Sequence, residues 1–282
     1  MVTKKKTTRK TPSKRKRKKG KSGFFSSITS AFGKVPTFLL WGIFAFLVVA
    51  YVVFFYKTFV GPYSFRWKAL YTNVTYPEGK VRGIDISHHQ GEIDWGKLRN
   101  TTIQGAPISF VFVKATQGTD VWDENFNQNF FNAKKNDMVR GAYHYYSPLT
   151  SAKLQAKHFC KVVQLDEKDL PPVLDVEETG ALSKRELQKE VKIWLNYVEK
   201  HYGATPIIYA SYSFKMQYLN SPDFDKYPFW IAHYYVDSLQ YKGKWTFWQH
   251  TDAGKLDGIS EDVDLNIFNG DMQDLMDMTI KE

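Results

Sequence analysis

The sequence predicts an α/β fold: a closed β/α barrel of about eight strands, with reduced helices in its second half, preceded by one long apolar helix. Three observations carry this. Eight strand-length runs rich in β-branched and aromatic residues recur between Val81 and Phe268. Helical patterns separate most of the first five runs, and the later connections shorten. The runs are nearly continuously apolar, as strands covered on both faces are. An open doubly wound sheet is the alternative, and the lack of a Gly-rich phosphate-binding turn after the first run weighs against it.

Taken in order, residues 1–36 form a basic tail. Its stretch KKKTTRKTPSKRKRKKGK (Lys4 to Lys21) is charge-dense and nearly free of apolar residues, so it is expected to be disordered. The net charge of +10 suggests nucleic acid at first sight. However, Met1 to Tyr56 holds 13 of the 39 Lys and Arg and no acid, leaving 26 bases against 29 acids elsewhere. The positive charge belongs to the tail, and no nucleic-acid partner is expected.

Thr37 to Tyr56 is twenty residues without a charge. As a helix it spans about 30 Å, the thickness of a hydrocarbon core. It is longer and more aromatic than the apolar region of a signal peptide, which favours an uncleaved anchor. The flanking bases then set the N-terminus in the cytoplasm, with everything after about residue 57 on the periplasmic or extracellular side. A buried core helix would carry a polar face, and a nuclear localisation signal fits poorly beside a spanning segment. Residues 57–80 read as a juxtamembrane connector, 81–272 as the barrel and 273–282 as a C-terminal tail.

The eight runs are VRGIDIS (81–87), ISFVFVK (108–114), VRGAYHYY (139–146), PVLDVE (172–177), PIIYAS (206–211), PFWIAHY (228–234), WTFWQH (245–250) and VDLNIF (263–268). Helical patterns occupy 123–136, 151–165 and 183–203, the last with a Ser183/Glu186 capping box and Gly203 as C-cap. Cys160, the one cysteine, sits at an apolar helical position and reads as a buried thiol. His158, two residues away on the helix, points elsewhere and cannot serve it as a base.

Acids fall where a barrel does chemistry. Asp85 lies near the end of the first run, Asp175 and Glu177 end the fourth, and Asp264 lies in the last. Active sites of β/α barrels sit at the C-terminal strand ends. Side chains alternate along a strand, so Asp175 and Glu177 face the same way with Cα atoms roughly 6.6 Å apart, while Val176 faces the helix layer. Mutual repulsion raises one pKa, and burial by the preceding Pro-Pro-Val-Leu adds to it. A proton held beside an ionised partner is the condition for glycoside cleavage. Glu178 reads as a solvated loop acid. The adjacent histidines of SHHQ (Ser87 to Gln90) diverge and suit one metal poorly, so no metal or cofactor is expected. Aromatic-rich runs near the carboxylates suit the apolar faces of sugar rings.

These motifs resemble glycoside hydrolase family 25, the Chalaropsis-type lysozymes. The likeness runs from about Val81 to Gly270, in order, through GIDISHHQGEIDW, FVFVKATQGTDVWDENFNQN, RGAYHYY, PPVLDVE, IIYAS, FWIAHY, FWQH and VDLNIF. The resemblance implies a modified TIM-like barrel with five β/α units followed by strands lacking helices. It also implies hydrolysis of the β-1,4 bond between N-acetylmuramic acid and N-acetylglucosamine in peptidoglycan, a muramidase activity. By position, Glu177 matches the proton donor and Asp175 the partner that stabilises the transition state or orients the substrate's acetamide. Asp85 and Asp264 match the other two acids, and Tyr143, Tyr209, Trp248 and Gln249 match positions near the sugar. One departure is His250, where many members carry Tyr. Two rivals of other classes stand beside this reading: a glycan-binding tether of membrane to wall without turnover, and a metal-dependent hydrolase.

Overall fold

A computed structural model describes residues 36–60, 79–236, 238–239 and 243–281. The chain divides into two units, residues 1–62 and 63–282. The described part of the first is a helix, α1 (Thr37–Phe55), continued by a π-helical turn at Tyr56–Val60. The stretch Phe38–Phe59 is 22 residues long and exposes its apolar side chains, with none of it buried. Lys4 to Lys21 and most of the 57–80 connector lie outside the described residues.

In the second unit, eight strands close into a barrel. In ring order they are β1 (Val81–Ile86), β10 (Val263–Phe268), β9 (Phe247–Gly254), β8 (Phe229–Ala232), β7 (Ile207–Ser211), β6 (Val173–Asp175), β5 (Val139–Tyr145) and β3 (Ala106–Gln117), with β3 pairing back to β1. All eight coincide with the runs read from sequence. Two short strands outside that reading, β2 (Thr102–Ile103) and β4 (Val121–Trp122), extend β3 at its two ends. All ring pairings are parallel except those of β10, which runs antiparallel to both neighbours. Eight residues join β9 to β10, too few for a crossover, so the chain doubles back.

Helices α2 (Trp95–Arg99), α3 (Phe126–Lys135), α4 (Ala152–Val162), α5 (Lys184–Tyr202) and α6 (Tyr212–Tyr218) lie between strands in the first part of the ring. Helix α5 shows why the local pattern suffices. Ser183 and Glu186 cap each other's backbone N–H, Gly203 takes φ 67° at the end, and Leu187, Val191, Trp194, Leu195 and Val198 form one buried stripe. Residues 273–278, left in a tail by the sequence reading, belong to α7 (Met272–Met278). Asp271 caps it and Leu275 is fully buried in the barrel's inner cluster.

Alternation along each strand separates two apolar layers. Outward residues such as Ile84, Val111, Leu174, Val176 and Ile208 meet the helices, and Cys160 joins them. Burial pushes the Cys160 thiol up to about 11, so it stays a protonated core group. Inward, Phe110, Phe112, Trp230, Phe247 and Phe268 plug the barrel. Phe112 stacks on Trp230 at 4.5 Å, and Phe247 meets Phe110, Phe112 and Phe268 at 5.0–5.2 Å. Two glycines make room for this plug. A Cβ on Gly83 would fall 2.4 Å from the Phe110 ring, and one on Gly141 would fall 2.6 Å from Phe112.

Gly141→Ala is therefore expected to destabilise the barrel by about 1–3 kcal/mol through overpacking. This would appear as a thermal midpoint several degrees lower in calorimetry. An unchanged midpoint would show that the plug yields freely.

Candidate active site

Above the aromatic plug, the mouth of the barrel forms a cleft of about 240 Å³. Strand register supplies its residues. Lys114 on β3 pairs with Tyr143 on β5, and Tyr145 with Asp175 on β6. Asp175 pairs with Tyr209 on β7, and Tyr209 with Trp230 on β8. On the far side, Ala232 pairs with Gln249 on β9, and Gln249 with Asn266 on β10. Asp85 and Asp264 are register partners across β1 and β10, so their side chains share a face. Because β10 runs antiparallel, its beginning lies at this mouth, and that is what brings Asp264 to the other acids.

Asp85, Asp175, Glu177 and Asp264 all line the cleft, with Tyr143, Tyr209 and Gln249 among them. Asp175 is buried, whereas Glu177 stands at the exposed rim one pleat further on. Asp175 Oδ1 is buried with no hydrogen-bond partner among the described residues. Glu178 is exposed and accepts from Tyr145 Oη at 3.3 Å, as a loop acid would.

Two sequence expectations change. Trp248 is not in the cleft. It neighbours inward Gln249 on β9, so alternation turns it into the outer layer, where Nε1 donates to the His233 carbonyl at 2.8 Å. His250 shares that outward direction and lies 5.6 Å from the Trp248 ring. Burial takes its pKa down to about 3, keeping it neutral, and the departure at this position leaves the cleft untouched.

The second change concerns electrostatics. Repulsion within the Asp-Val-Glu step was expected to lead and burial to add. Desolvation is instead the first cause at every one of the four acids. It carries Asp175 well above the carboxylate range, with repulsion from Glu177 and Asp85 next. Glu177 is raised by desolvation against the cleft wall, with the nearby Tyr209 hydroxyl opposing the rise. Desolvation and then Asp85 push Asp264 up to about 9. Asp85 is held to about 6 because Asn266 Nδ2 and Gln249 Nε2 donate to its Oδ2 at 2.7 and 2.8 Å, opposing its burial.

Several functional residues went unread in the sequence. Lys114 lines the cleft, holds Gln117 Oε1 at 2.9 Å and lowers the pKa of both Asp175 and Glu177. Asn266 also accepts from Trp230 Nε1 at 2.8 Å, tying the acid site to the plug. Tyr234 lines the cleft too, and with Tyr209 it donates to Oε1 of the expected Gln249, at 2.8 and 2.6 Å, while that residue's amide serves Asp85. Each faces inward by strand parity, but parity alone does not say which alternate set is inner. Among the described residues, no group of three or more His, Cys, Asp or Glu is placed to hold a metal ion.

Groups whose folded pKa exceeds the unfolded value bind more protons when folded, so they favour the fold at low pH and lose that contribution as pH rises through the folded pKa. For Asp264 the window runs from its ordinary value near 3.8 to about 9. Asp264→Asn is expected to flatten part of the fall in stability across that window, read by urea unfolding at a series of pH values. Asn266→Ala removes a hydrogen bond to the ionised form and is expected to raise the Asp85 pKa above about 6, read by carboxyl NMR titration.

The family described as Glycosyl hydrolases family 25 matches residues 84–259. The YegX protein of Escherichia coli strain K12 is 41% identical over 229 residues, covering 81% of each chain. Lysozyme M1 of Streptomyces globisporus is 35% identical over 205 residues, covering 67% of this chain and 68% of the relative. The solved structure of a family 25 glycosyl hydrolase from Bacillus anthracis superposes with a TM-score of 0.65 at 32% identity, over 73% of this chain and 97% of that one.

Proposed function

Because the chain belongs to glycosyl hydrolase family 25, and is therefore a glycoside hydrolase, we propose that it is a membrane-anchored muramidase. Its substrate would be the glycan strand of peptidoglycan, cut at the β-1,4 bond between N-acetylmuramic acid and N-acetylglucosamine. The observation that carries this is the placement of Asp175 and Glu177 on one inner face of the mouth, with Asp175 Oδ1 unpartnered and aimed into a cleft large enough for a sugar ring.

Glu177 holds the transferable proton. Desolvation raises its pKa above the ordinary carboxylate value, and its rim position lets it reach the glycosidic oxygen. Asp175, one pleat deeper, faces the sugar's anomeric side, where its free oxygen stabilises positive charge or orients the substrate's acetamide. Asp85 and Asp264 set the field around this pair. Tyr143, Tyr209 and Gln249 present hydroxyl and amide groups to sugar hydroxyls. The tether alternative leaves the pK-shifted carboxyl cluster without a task.

Helix α1 supports the anchoring part of the proposal by length and apolar character. The basic tail before it places the N-terminus in the cytoplasm, and the barrel then works on the periplasmic or extracellular side, where the wall lies.

Glu177→Gln is expected to lower peptidoglycan lysis at least a hundredfold with the fold intact. Mass spectrometry of released muropeptides should show new muramic acid reducing ends with the wild type only. Equal lysis by the variant would remove Glu177 as the acid. Alkaline carbonate washing of membranes is expected to leave the full chain in the pellet, and release into the supernatant would rule out a spanning anchor.

A further inference from the structure

Strand β3 carries an irregularity at the mouth of the barrel. Along it, Phe110 and Phe112 point into the bore, and Val111 and Val113 point into the helix layer. Alternation then puts Lys114 inward, where it lines the cleft, and would put Thr116 inward and Gln117 outward. The pairing with β5 breaks that rhythm. Lys114 pairs with Tyr143 and Thr116 with His144, so Ala115 is an extra residue without a register partner on β5, a β-bulge. Such bulges are rare between parallel strands and gather beside functional sites. The Ala115 carbonyl accepts instead from the Asp123 N–H at 2.9 Å. Beyond the bulge the two faces are exchanged. Thr116 turns outward to His144, while Gln117 pairs with cleft-lining Tyr145 and accepts from Lys114 Nζ at 2.9 Å. Residues three apart on a regular strand face opposite ways, so the bulge is what lets Gln117 clasp Lys114.

A buried chain of hydrogen bonds locks this arrangement. Thr116 Oγ1 and His144 Nδ1 are 2.7 Å apart, and His144 Nε2 is 3.0 Å from Gln155 Oε1 on α4. All three side chains are fully buried. The Gln155 amide donates to the Ser147 and Thr150 carbonyls at 2.7 and 3.0 Å, so its Oε1 is the acceptor and His144 carries its proton on Nε2. Nδ1 is left to accept from the Thr116 hydroxyl. Burial takes the His144 pKa down to about 3; the Gln155 bond opposes this, and His158 and Lys114 act with burial. The ring is therefore neutral in mildly acid and neutral solution, and the direction of the chain does not change there. Trp194 stacks on the ring at 5.7 Å and Phe159 meets it edge-on at 6.1 Å, which holds it in one orientation.

We propose that Thr116 and His144 are positioning residues of the reaction: their bond holds the bulge that carries Lys114, clasped by Gln117, over the cleft acids. The inference rests on the muramidase reading and adds to it two residues on the outer side of the barrel wall. Desolvation raises both Asp175 and Glu177, and the Lys114 charge works against the rise at each, so the aim of one ammonium bears on both groups. Lys114 also lies 5.1 Å from the centre of the Tyr145 ring. The other titratable groups around it are Asp85, His88 and His89 from β1 and the turn after it, Asp123 and Glu124 after β4, Tyr143 on β5, Tyr209 on β7, Tyr234 after β8 and Asp264 on β10.

The test reads the pH profile of kcat/KM for the full chain in detergent acting on peptidoglycan, with carboxyl NMR titrations of Asp175 and Glu177 measured alongside. Thr116→Val keeps the shape of the side chain and removes the hydroxyl. It is expected to move both limbs of the profile, and both carboxyl titrations, to higher pH by roughly half a pH unit. Thr116→Ser is expected to restore them. In a Lys114→Met background, Thr116→Val is expected to move nothing further, because its effect passes through the ammonium. Gln117→Met, at a half-exposed position, releases the clasp without entering the core. It is expected to shift the profile the same way, and it decides the matter if Thr116→Val does not fold. A folded Thr116→Val with a lower thermal midpoint but unmoved limbs would make the chain a stability device only and overturn the proposal. An equal shift in the Lys114→Met background, or an unmoved profile in Gln117→Met, would overturn it too. If the wild type releases no reducing ends from peptidoglycan, the muramidase reading fails, and the carboxyl titrations still decide whether Thr116 acts on the acids through Lys114.

Discussion

Four carboxyl groups crowd a mouth walled by aromatic rings, and the scarcity of water around them governs the site. A carboxylate taken from water into such surroundings loses solvation that its neighbours do not replace. Among the described residues, Lys114 is the one Lys or Arg lining the cleft, against Asp85, Asp175, Glu177 and Asp264. The cluster answers by retaining protons. Asp85 receives two strong amide donors, which hold it to about 6 while Asp264 climbs to about 9. Asp175 has an oxygen with no hydrogen-bond partner among the described residues and is driven well above the carboxylate range.

Such a site opposes folding, so the barrel beneath must supply the difference. It does so with large rings in mutual contact: Phe110, Phe112, Trp230, Phe247 and Phe268 fill the bore, and Gly83 and Gly141 give up their side chains to admit them. The same plug builds the floor of the cleft. Trp230 belongs to both, stacking on Phe112 below and donating to Asn266, which in turn donates to Asp85. Rigid packing and acid placement are therefore one continuous structure.

Much of this was legible in the sequence because strand parity is a strong constraint. Asp175 and Glu177 had to share a face and Val176 had to oppose them, whatever the rest of the chain did. The eight apolar runs marked the eight barrel strands, and Ser183, Glu186 and Gly203 marked the ends of α5. Parity was also where the resemblance overreached: Trp248 and Gln249 are consecutive, so they could not both face the sugar. What stayed hidden depends on distant partners. The reversed direction of β10 comes from a short connection, Lys114 and Asn266 become site residues only through register, and α7 gains its place by burying Leu275 against the barrel. The leading role of desolvation over repulsion likewise required the walls, since a sequence gives the spacing of two acids but not the solvent around them.

The central claim, that the dry mouth keeps carboxyl protons at neutral pH, is tested most directly by isotope-edited infrared spectroscopy of the full chain carrying carbon-13-labelled Asp and Glu. A band from protonated carboxyl groups is expected to persist at pH 7, to weaken in Asp264→Asn, and to fade as pH rises past about 9. A spectrum showing every carboxyl ionised by pH 6 would contradict it.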